Sequence, residues 1–339
     1  MKRGVMIGFF IASLLFMIGR AETFAAGTPE DFYRGKTVSW IVSSEPGSPT
    51  DLIVRTIAPF LGKEIGARIR VENMKTDEGI NYLYKQGSRD GLALAAKTTD
   101  AVIGSEILKA PGVLYETEKL NFLADVYPSI KMFQLSPKLP YKTIDALKKA
   151  KGLRGGGTSA KGSLALSAAV MFEILGLDGK VITGYQGKKN LLMAMARGEA
   201  DFMVTSDDTA MRDEKDDYIV NLFTVGDKRS AVIPHAPTLS ELGVKIPKEL
   251  AAAHNFIITG GIAVLMPPGV PSDRVEQVRK VFQGLNNNAE LQAGLVKLTG
   301  AWRTFVPGKE LQQDMAVIKA DQELAAKLDA IFKKYSAIR

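Results

Sequence analysis

The feature that most constrains the fold is a repeated order of a short apolar strand, a loop of small polar residues and a helix. Segment 36–42, rich in β-branched and aromatic residues, predicts a buried strand. The polar loop 43–51 follows, and an apolar stripe over 53–65 predicts a helix that Pro59 kinks or ends early. Alternation of this kind is typical of α/β proteins with largely parallel sheets.

The same order returns after a point near Ile130. A helix is predicted over 144–151, a glycine-rich loop at 155–157 and an apolar helix over 163–175, and the chain ends in one long predicted helix over 309–334. At 339 residues the chain has room for two lobes of ordinary domain size. We therefore predict a two-lobed α/β protein.

The N-terminus has the three parts of a secretory signal. Lys2 and Arg3 precede an apolar run over 5–18, and small residues follow, including Ala25 and Ala26. An uncleaved anchor is the alternative, but the run is shorter than the ~20 residues needed to span a bilayer. We predict a signal peptide over 1–26 that is cleaved near Ala25 or Ala26.

The composition removes several classes of chemistry. Cysteine is absent, so Cys-based metal or redox sites are excluded. Histidine occurs only at His235 and His254, so few residues could serve as the base of a Ser-His triad. We expect no metal, no cofactor and no catalytic residue. The charged residues that give the net charge of +7 are scattered along the chain and are not interleaved with aromatic residues. We therefore expect no nucleic-acid partner.

The loop 43–51 joins the first strand to the first helix. The simpler interpretation is a turn in which Ser48 or Thr50 caps the helix. The functional interpretation adds that Gly47 allows close backbone approach and that serine and threonine hydroxyls can contact a ligand oxygen. Glu45 would repel an anionic ligand, so it must point outward or pair with a cationic part of the ligand.

The second loop, over 154–163, also leads into a helix. Its GxGxxA spacing at 155–160 resembles a dinucleotide-binding loop, but a long preceding strand and a following acidic residue are missing. What remains is a second helix start that suits an anion, because helix N-termini present unpaired N–H donors. Two such loops from separate lobes would hold a carboxylate between them.

Two further loops follow apolar strands. Tyr185 is either a partly buried loop aromatic or a pocket residue. Asp207 and Asp208 are either solvated loop acids and helix caps, or partners for a ligand ammonium or a backbone N–H. An enzyme would depend on acids such as Glu45, Asp51 and these two aspartates, but no base or nucleophile stands beside them in a recognisable arrangement.

The order of motifs resembles a known family along essentially the whole mature chain. The motifs are FYRGKTVSWIVSSEPGSPTD, RVENMKTDEGI, RDGLALAAKTTDA, YKTIDALKKAK, GGGTSAKGS, GYQG, RGEADFMV, HAPTLSELGV and LMPPGVPSDRVEQV. In this order they are similar to the periplasmic solute receptors of tripartite tricarboxylate transporters, the Bug proteins. The sequence departs from the family at Ser48-Pro49 in the first loop and in the segment 74–79. The first departure touches the pocket directly, so ligand identity cannot be carried over.

The resemblance implies a Venus-flytrap α/β fold of the type II kind, each lobe a mostly parallel sheet flanked by helices. We predict lobe 1 over 27–130 plus 256–339 and lobe 2 over 131–255. The implied protein is a periplasmic monomer that passes a small organic acid or amino acid to integral membrane transporter subunits. A sensor protein that signals to a membrane kinase is an alternative. The expected ligand-binding residues are Ser43, Ser44, Gly47, Ser48, Thr50, Asp51, Thr98, Thr99, Thr158, Ser159, Gly162, Ser163, Tyr185 and Asp207.

Overall fold

The computed structural model describes residues 32–75 and 77–337, so the predicted signal peptide lies outside the described residues. The strands are β1 (Thr37–Val42), β2 (Arg68–Asn73), β3 (Ala93–Thr98), β4 (Asn121–Val126), β5 (Lys131–Leu135), β6 (Leu153–Gly156), β7 (Gly179–Ile182), β8 (Phe202–Ser206), β9 (Val220–Thr224), β10 (Ile262–Met266) and β11 (Val306–Pro307).

The helices are α1 (Pro49–Ile65), α2 (Glu78–Gln86), α3 (Thr99–Ile107), α4 (Ile144–Lys149), α5 (Ser163–Leu175), α6 (Gly187–Arg197), α7 (Asp207–Lys215), α8 (Ala251–Ile258), α9 (Ser272–Leu285), α10 (Ala289–Thr299), α11 (Gly308–Ala320) and α12 (Gln322–Tyr335). None of the helices in the described part of the chain is long and apolar enough to cross a membrane.

The described strands form two mixed sheets. The first has the order β11-β4-β10-β3-β1-β2, in which β1 is parallel to β2 and β3, whereas β10 runs antiparallel to β3 and β4. The second has the order β7-β6-β8-β5-β9, in which β6 is parallel to β7 and β8, whereas β5 runs antiparallel to β8 and β9. Most strands of each sheet share one direction, and the predicted α/β class is confirmed.

Apolar side chains fill the space between each sheet and its helices. Trp40 of β1 is fully buried and meets Phe282 of α9 edge to face, with ring centroids 6.0 Å apart. In the second sheet, Phe133 of β5 stacks on Phe202 and Phe223, with centroid distances of 4.6 and 4.7 Å. Large aromatic side chains buried in this way supply much of the hydrophobic stabilisation of a domain.

Two details of the predicted helices are wrong. Helix α1 continues through Pro59 to Ile65, so the early end is wrong, while a kink at Pro59 stays a prediction. The long C-terminal helix is two helices, because the chain leaves helical geometry at Asp321, whose side chain caps α12 by accepting from the backbone N–H of Leu324 at 2.8 Å.

The chain passes between the two sheets more than once. The first passage joins β4 to β5 and includes Tyr127, a non-glycine residue with a positive φ of 67°. Near the C-terminus, α12 packs on α5 of the second sheet, where the Tyr335 and Phe172 rings stack with centroids 5.1 Å apart. The lobe boundaries stay a prediction, and this packing argues for counting α12 with lobe 2.

Candidate functional site

The carboxyl ends of parallel strands bring several predicted site residues to one edge of each sheet. In the first sheet, Ser43 follows β1 and Thr98 ends β3, and these strands are parallel neighbours. In the second sheet, the segments after β6, β7 and β8 lie at a common edge in the same way. Ligands of open α/β sheets bind at such edges.

The first loop begins α1 with a serine cap. Ser48 is the N-cap residue, and its Oγ accepts from the backbone N–H of Asp51 at 3.3 Å, while Pro49 occupies the first turn. The Ser44 and Ser48 hydroxyl oxygens are 2.7 Å apart. Gly47 has a φ of +74°, a conformation that favours glycine. The predicted cap and the paired hydroxyls therefore lie in one turn, in which Ser44 and Ser48 are half-buried.

The Asp51 carboxylate stabilises this turn through hydrogen bonds. Its carboxylate accepts from the Gly47 backbone N–H at 2.8 Å, from Asn73 Nδ2 at 2.9 Å and from Arg55 Nε at 2.9 Å. Burial alone would raise the pKa of Asp51, but hydrogen bonds from Gly47, Arg55 and Asn73 outweigh it and lower that pKa below its ordinary value. The structure thus places Asp51 as a support of the loop.

The other predicted residues near this loop differ in exposure. Ser43 and Thr50 are buried, and a Cβ added to Gly79 of α2 would lie 2.9 Å from Ser43 Oγ. Glu45 is exposed and its carboxylate lies 3.5 Å from Lys75 Nζ. Since Lys75 is also exposed, this geometry favours the interpretation in which Glu45 points outward.

The second loop leads into α5 and is packed closely against it. A Cβ at Gly157 would lie 2.6 Å from the Cβ of Ala165, so only glycine fits. Gly162 is the N-cap residue of α5. Ser159 is exposed and Thr158 is half-buried, and neither hydroxyl has a hydrogen-bond partner within residues 32–75 and 77–337. These two hydroxyls are open to a ligand.

Helix α3 begins between the two loops. Thr99 is fully buried and donates through Oγ1 to Asp125 Oδ2 at 2.8 Å, whereas Thr98 is half-buried. Asp125 also accepts from the Ile262 backbone N–H at 2.8 Å. Burial raises the pKa of Asp125 to about 7, although the hydrogen bonds from Thr99 and Ile262 oppose this rise.

The next residue, Asp100, connects α3 with the second sheet. Its Oδ2 accepts from Lys131 Nζ of β5 at 3.1 Å and from the Ser163 hydroxyl at the start of α5. Beside it, Lys97 of β3 pairs with Asp77 before α2. The predicted site residues do not include Lys97, Asp77 and Asp100. The substituted segment 74–79 contains Asp77, and the threonine–aspartate start of α3 contains Asp100, so both positions could have been considered.

Two predicted pocket residues of the second sheet have structural partners. Asp207 is fully buried, and its Oδ2 accepts from Ser230 Oγ at 2.7 Å and from the Arg303 guanidinium. This ion pair ties α7 to the segment before β11. Tyr185 is half-buried against the apolar cluster around Leu191. Their predicted role in ligand binding stays a prediction, and Asp207 has little capacity left for a ligand.

The two mixed sheets, with polar loops and helix starts at the carboxyl ends of their strands, have the α/β architecture that is found in two-lobed binding proteins. No protein-family model matches the chain. By sequence the chain is similar to the protein BugT of Bordetella pertussis, with 23% identity over 295 residues, covering 85% of each chain.

Solved structures of similar fold also include proteins of this kind. MatC from Rhodopseudomonas palustris, with bound malate, superposes with a TM-score of 0.68 and 18% identity, covering 88% of this chain and 99% of that one. The periplasmic binding protein BugD gives a TM-score of 0.70 and 18% identity, with 89% and 98% covered. The resemblance to the Bug family that the sequence predicts is confirmed.

Proposed function

We propose that the protein is a periplasmic receptor that binds a small carboxylate and delivers it to the membrane subunits of a tripartite tricarboxylate transporter. Two contacts carry the proposal. The second loop ends at Ser163, which contacts Asp100 of α3, and the first loop begins at Ser43, whose backbone N–H donates to the Ala96 carbonyl of β3 at 2.8 Å, just before α3. The Asp100–Ser163 contact spans from α3 to the start of α5, so the two strand edges lie close together. MatC, of the same fold, has bound malate.

The ligand's acid group has a defined set of partners in this proposal. Ser44 and Ser48 supply hydroxyls from the first loop, and Thr158 and Ser159 supply hydroxyls from the second. The starts of α1 and α5 add backbone N–H donors and the positive end of the helix dipole. Charge-assisted hydrogen bonds of this kind are sufficient for a Kd of ~1 μM, which needs about −8.2 kcal/mol.

The proposal also covers location and chemistry. We propose export by the signal over 1–26, with cleavage near Ala25 or Ala26, and closure of the two lobes on the ligand by a hinge. The bound solute leaves unchanged, because the candidate site offers hydroxyls and backbone amides rather than a nucleophile with an adjacent base. Receptor binding without turnover can be followed by NMR of the bound solute.

The experiment is a ligand-binding titration of the mature protein. A panel of mono- and dicarboxylates should raise the midpoint of thermal unfolding, since a ligand that binds only the native state stabilises it. The variant Ser159→Trp places an indole in the proposed site at an exposed position, so it should keep its circular dichroism spectrum and lose the thermal shift.

The matched control is Ser88→Trp, an exposed serine before β3, at the opposite end of that strand. This variant should bind like the wild type. No thermal shift with any member of a broad carboxylate panel would count against the receptor function. Normal binding by Ser159→Trp would show that the second loop is only a turn.

A further inference from the structure

Four charged side chains lie around the first turn of α3, and three of them are nearly buried. Lys97 Nζ pairs with Asp77 Oδ1, and Lys131 Nζ lies 3.1 Å from Asp100 Oδ2. The exposed fractions of the Lys97, Lys131 and Asp100 side chains are 8%, 8% and 2%. Burial lowers the pKa of Lys97, while Asp77 and Asp100 act in the opposite direction. The two cations are therefore both engaged by carboxylates.

This charged cluster borders the proposed ligand site on two sides. Lys97 directly precedes Thr98, which ends β3 at the carboxyl edge of the first sheet. Ser163, which starts α5 after the second loop, donates its hydroxyl to Asp100 Oδ2. A ligand held between the two loops therefore lies next to Asp100.

The two oxygens of the Asp100 carboxylate have different surroundings. Oδ2 accepts from both Lys131 and Ser163, whereas Oδ1 is buried and accepts no hydrogen bond from any described residue. A buried acceptor without a donor is unfavourable, and a donor that reaches it gains more than the same donor in water. Asp100 Oδ1 thus favours a ligand that brings a hydrogen-bond donor.

The charge of Asp100 itself selects the kind of donor. Lys97 pairs with Asp77 and Lys131 with Asp100, and burial raises the pKa of the neighbouring Asp125 carboxyl to about 7. A second ligand carboxylate placed at Oδ1 would meet the like charge of the Asp100 carboxylate. An ammonium group would donate a charge-assisted hydrogen bond to Oδ1.

We propose that Asp100 is a specificity-determining residue of the cleft, and that the ligand is a small carboxylate that also carries an ammonium group, which donates to Asp100 Oδ1. This inference rests on the proposed receptor function and narrows its ligand class. The ligand's acid group binds at the hydroxyls of the two loops and its ammonium group faces α3. A hydroxyl in place of the ammonium group brings no positive charge, so its hydrogen bond to the carboxylate is weaker.

The test compares ligands that differ only in this substituent. Calorimetric titrations of the wild-type protein use two series of fixed carbon skeleton, namely succinate, malate and aspartate, and propionate, lactate and alanine. In a series that binds, we expect the amino compound to bind at least about tenfold more tightly than the unsubstituted acid, with the hydroxy compound between them. In Asp100→Asn we expect the three affinities to converge to within about threefold.

The control variant is Asp201→Asn, which makes the same change in a buried carboxylate that pairs with Arg154. Asp201 directly precedes β8, so it lies at the end of that strand away from the proposed site. It should keep the wild-type preference. Since Asp100→Asn removes a buried ion pair and can impair folding, a crystal structure of the wild-type complex with the tightest ligand provides a second measurement. It should place the ligand nitrogen within hydrogen-bond distance of Asp100 Oδ1.

The outcomes separate this inference from the function on which it rests. If ligands bind but the unsubstituted acid binds tightest, if Asp100→Asn keeps the preference, or if the ligand nitrogen points away from Asp100, the inference is wrong and the receptor function stands. If no member of either series binds the wild-type protein, the inference is wrong, and the broad carboxylate panel decides the receptor function.

Discussion

The two loops proposed to hold the ligand are built in different ways. The first is organised within its own neighbourhood, because the Asp51 carboxylate accepts from Gly47, Arg55 and Asn73 at 2.8–2.9 Å. The second loop is held by contacts with residues that lie outside it. Its Lys161 reaches the Leu108 carbonyl at 2.5 Å, Asp329 of α12 at 3.1 Å, and its last residue, Ser163, contacts Asp100 of α3.

This difference indicates that the two loops have different roles in the proposed ligand binding. A loop that is already ordered loses little entropy when a ligand binds, so the first loop suits the initial capture of an acid group. The second loop takes its geometry from α3 and α12, so its two open hydroxyls are presented in place only when those helices are close. We therefore expect the proposed binding site to be complete only when α3 lies against the start of α5.

The largest expected effect is a pH dependence at α3 that the first loop does not share. Burial raises the pKa of Asp125 to about 7, with Asp100 adding to the rise and Thr99, Ile262 and Lys131 opposing it. In the unfolded chain this carboxyl ionises near pH 4, so the stabilisation is present at low pH and is lost as the pH rises through 7. We expect the free energy of unfolding to fall by up to about 4 kcal/mol between pH 4 and 8 from this residue.

Urea titrations at several pH values measure this dependence, and Asp125→Asn should remove its contribution. Asp51 has a pKa below its ordinary value, so its contribution is present above pH 4 and is lost only on stronger acidification. A wild-type pH profile that matches the Asp125→Asn profile between pH 4 and 8 would contradict the difference between the two regions.

The second effect is the loss of the support beneath the first loop. Asp51→Ala leaves the Gly47 N–H and Asn73 without their acceptor, and we expect it to lower the free energy of unfolding by about 2–3 kcal/mol. Its control is Arg55→Met, since the Arg55 side chain is 45% exposed and its ion pair with Asp51 should contribute below ~1 kcal/mol. Equal losses in the two variants would mean that the ion pair, rather than the loop backbone, is what Asp51 stabilises.

Local signals made the framework of the first loop predictable. The strand over 36–42, the serine cap and the C-cap at Gly198 all follow from residues within a few positions of one another, and each agrees with the structure. The break at Asp321 was missed because Ala320 and Gln322 beside it favour helix, and neither glycine nor proline marks the end.

The partners of the charged residues could not be predicted in the same way. Asp207 and Arg303 are 96 residues apart in the chain, and Asp100 meets Ser163 across 63 residues. No periodicity or spacing rule connects such positions, because their contact depends on how the two sheets pack. Asp207 therefore resembled a solvated loop acid in the sequence although it is fully buried.

A smaller effect separates capping from ligand binding in the first loop. Ser48→Ala removes the acceptor for the Asp51 N–H and the contact with Ser44, so we expect a loss of about 1 kcal/mol and a weaker affinity for the ligand. Thr143→Ala is the matched control, because Thr143 caps α4 by accepting from Ala146 N at 3.2 Å. It should lose similar stability and keep the affinity, and a loss of affinity in both variants would assign the effect to stability alone.

The smallest effect tests whether the second loop is held from outside. Lys161 and Asp329 are 20% and 28% exposed, so Lys161→Met should lower the free energy of unfolding by less than ~1 kcal/mol. Amide hydrogen exchange over 157–163 should nevertheless become faster, because the loop loses its contacts with Leu108 at the end of α3 and with Asp329 of α12. Exchange over 43–48 should stay unchanged, since Asp51 still supports that loop. Unchanged exchange in the second loop would show that it holds its own conformation, and the distinction between the two loops would then fail.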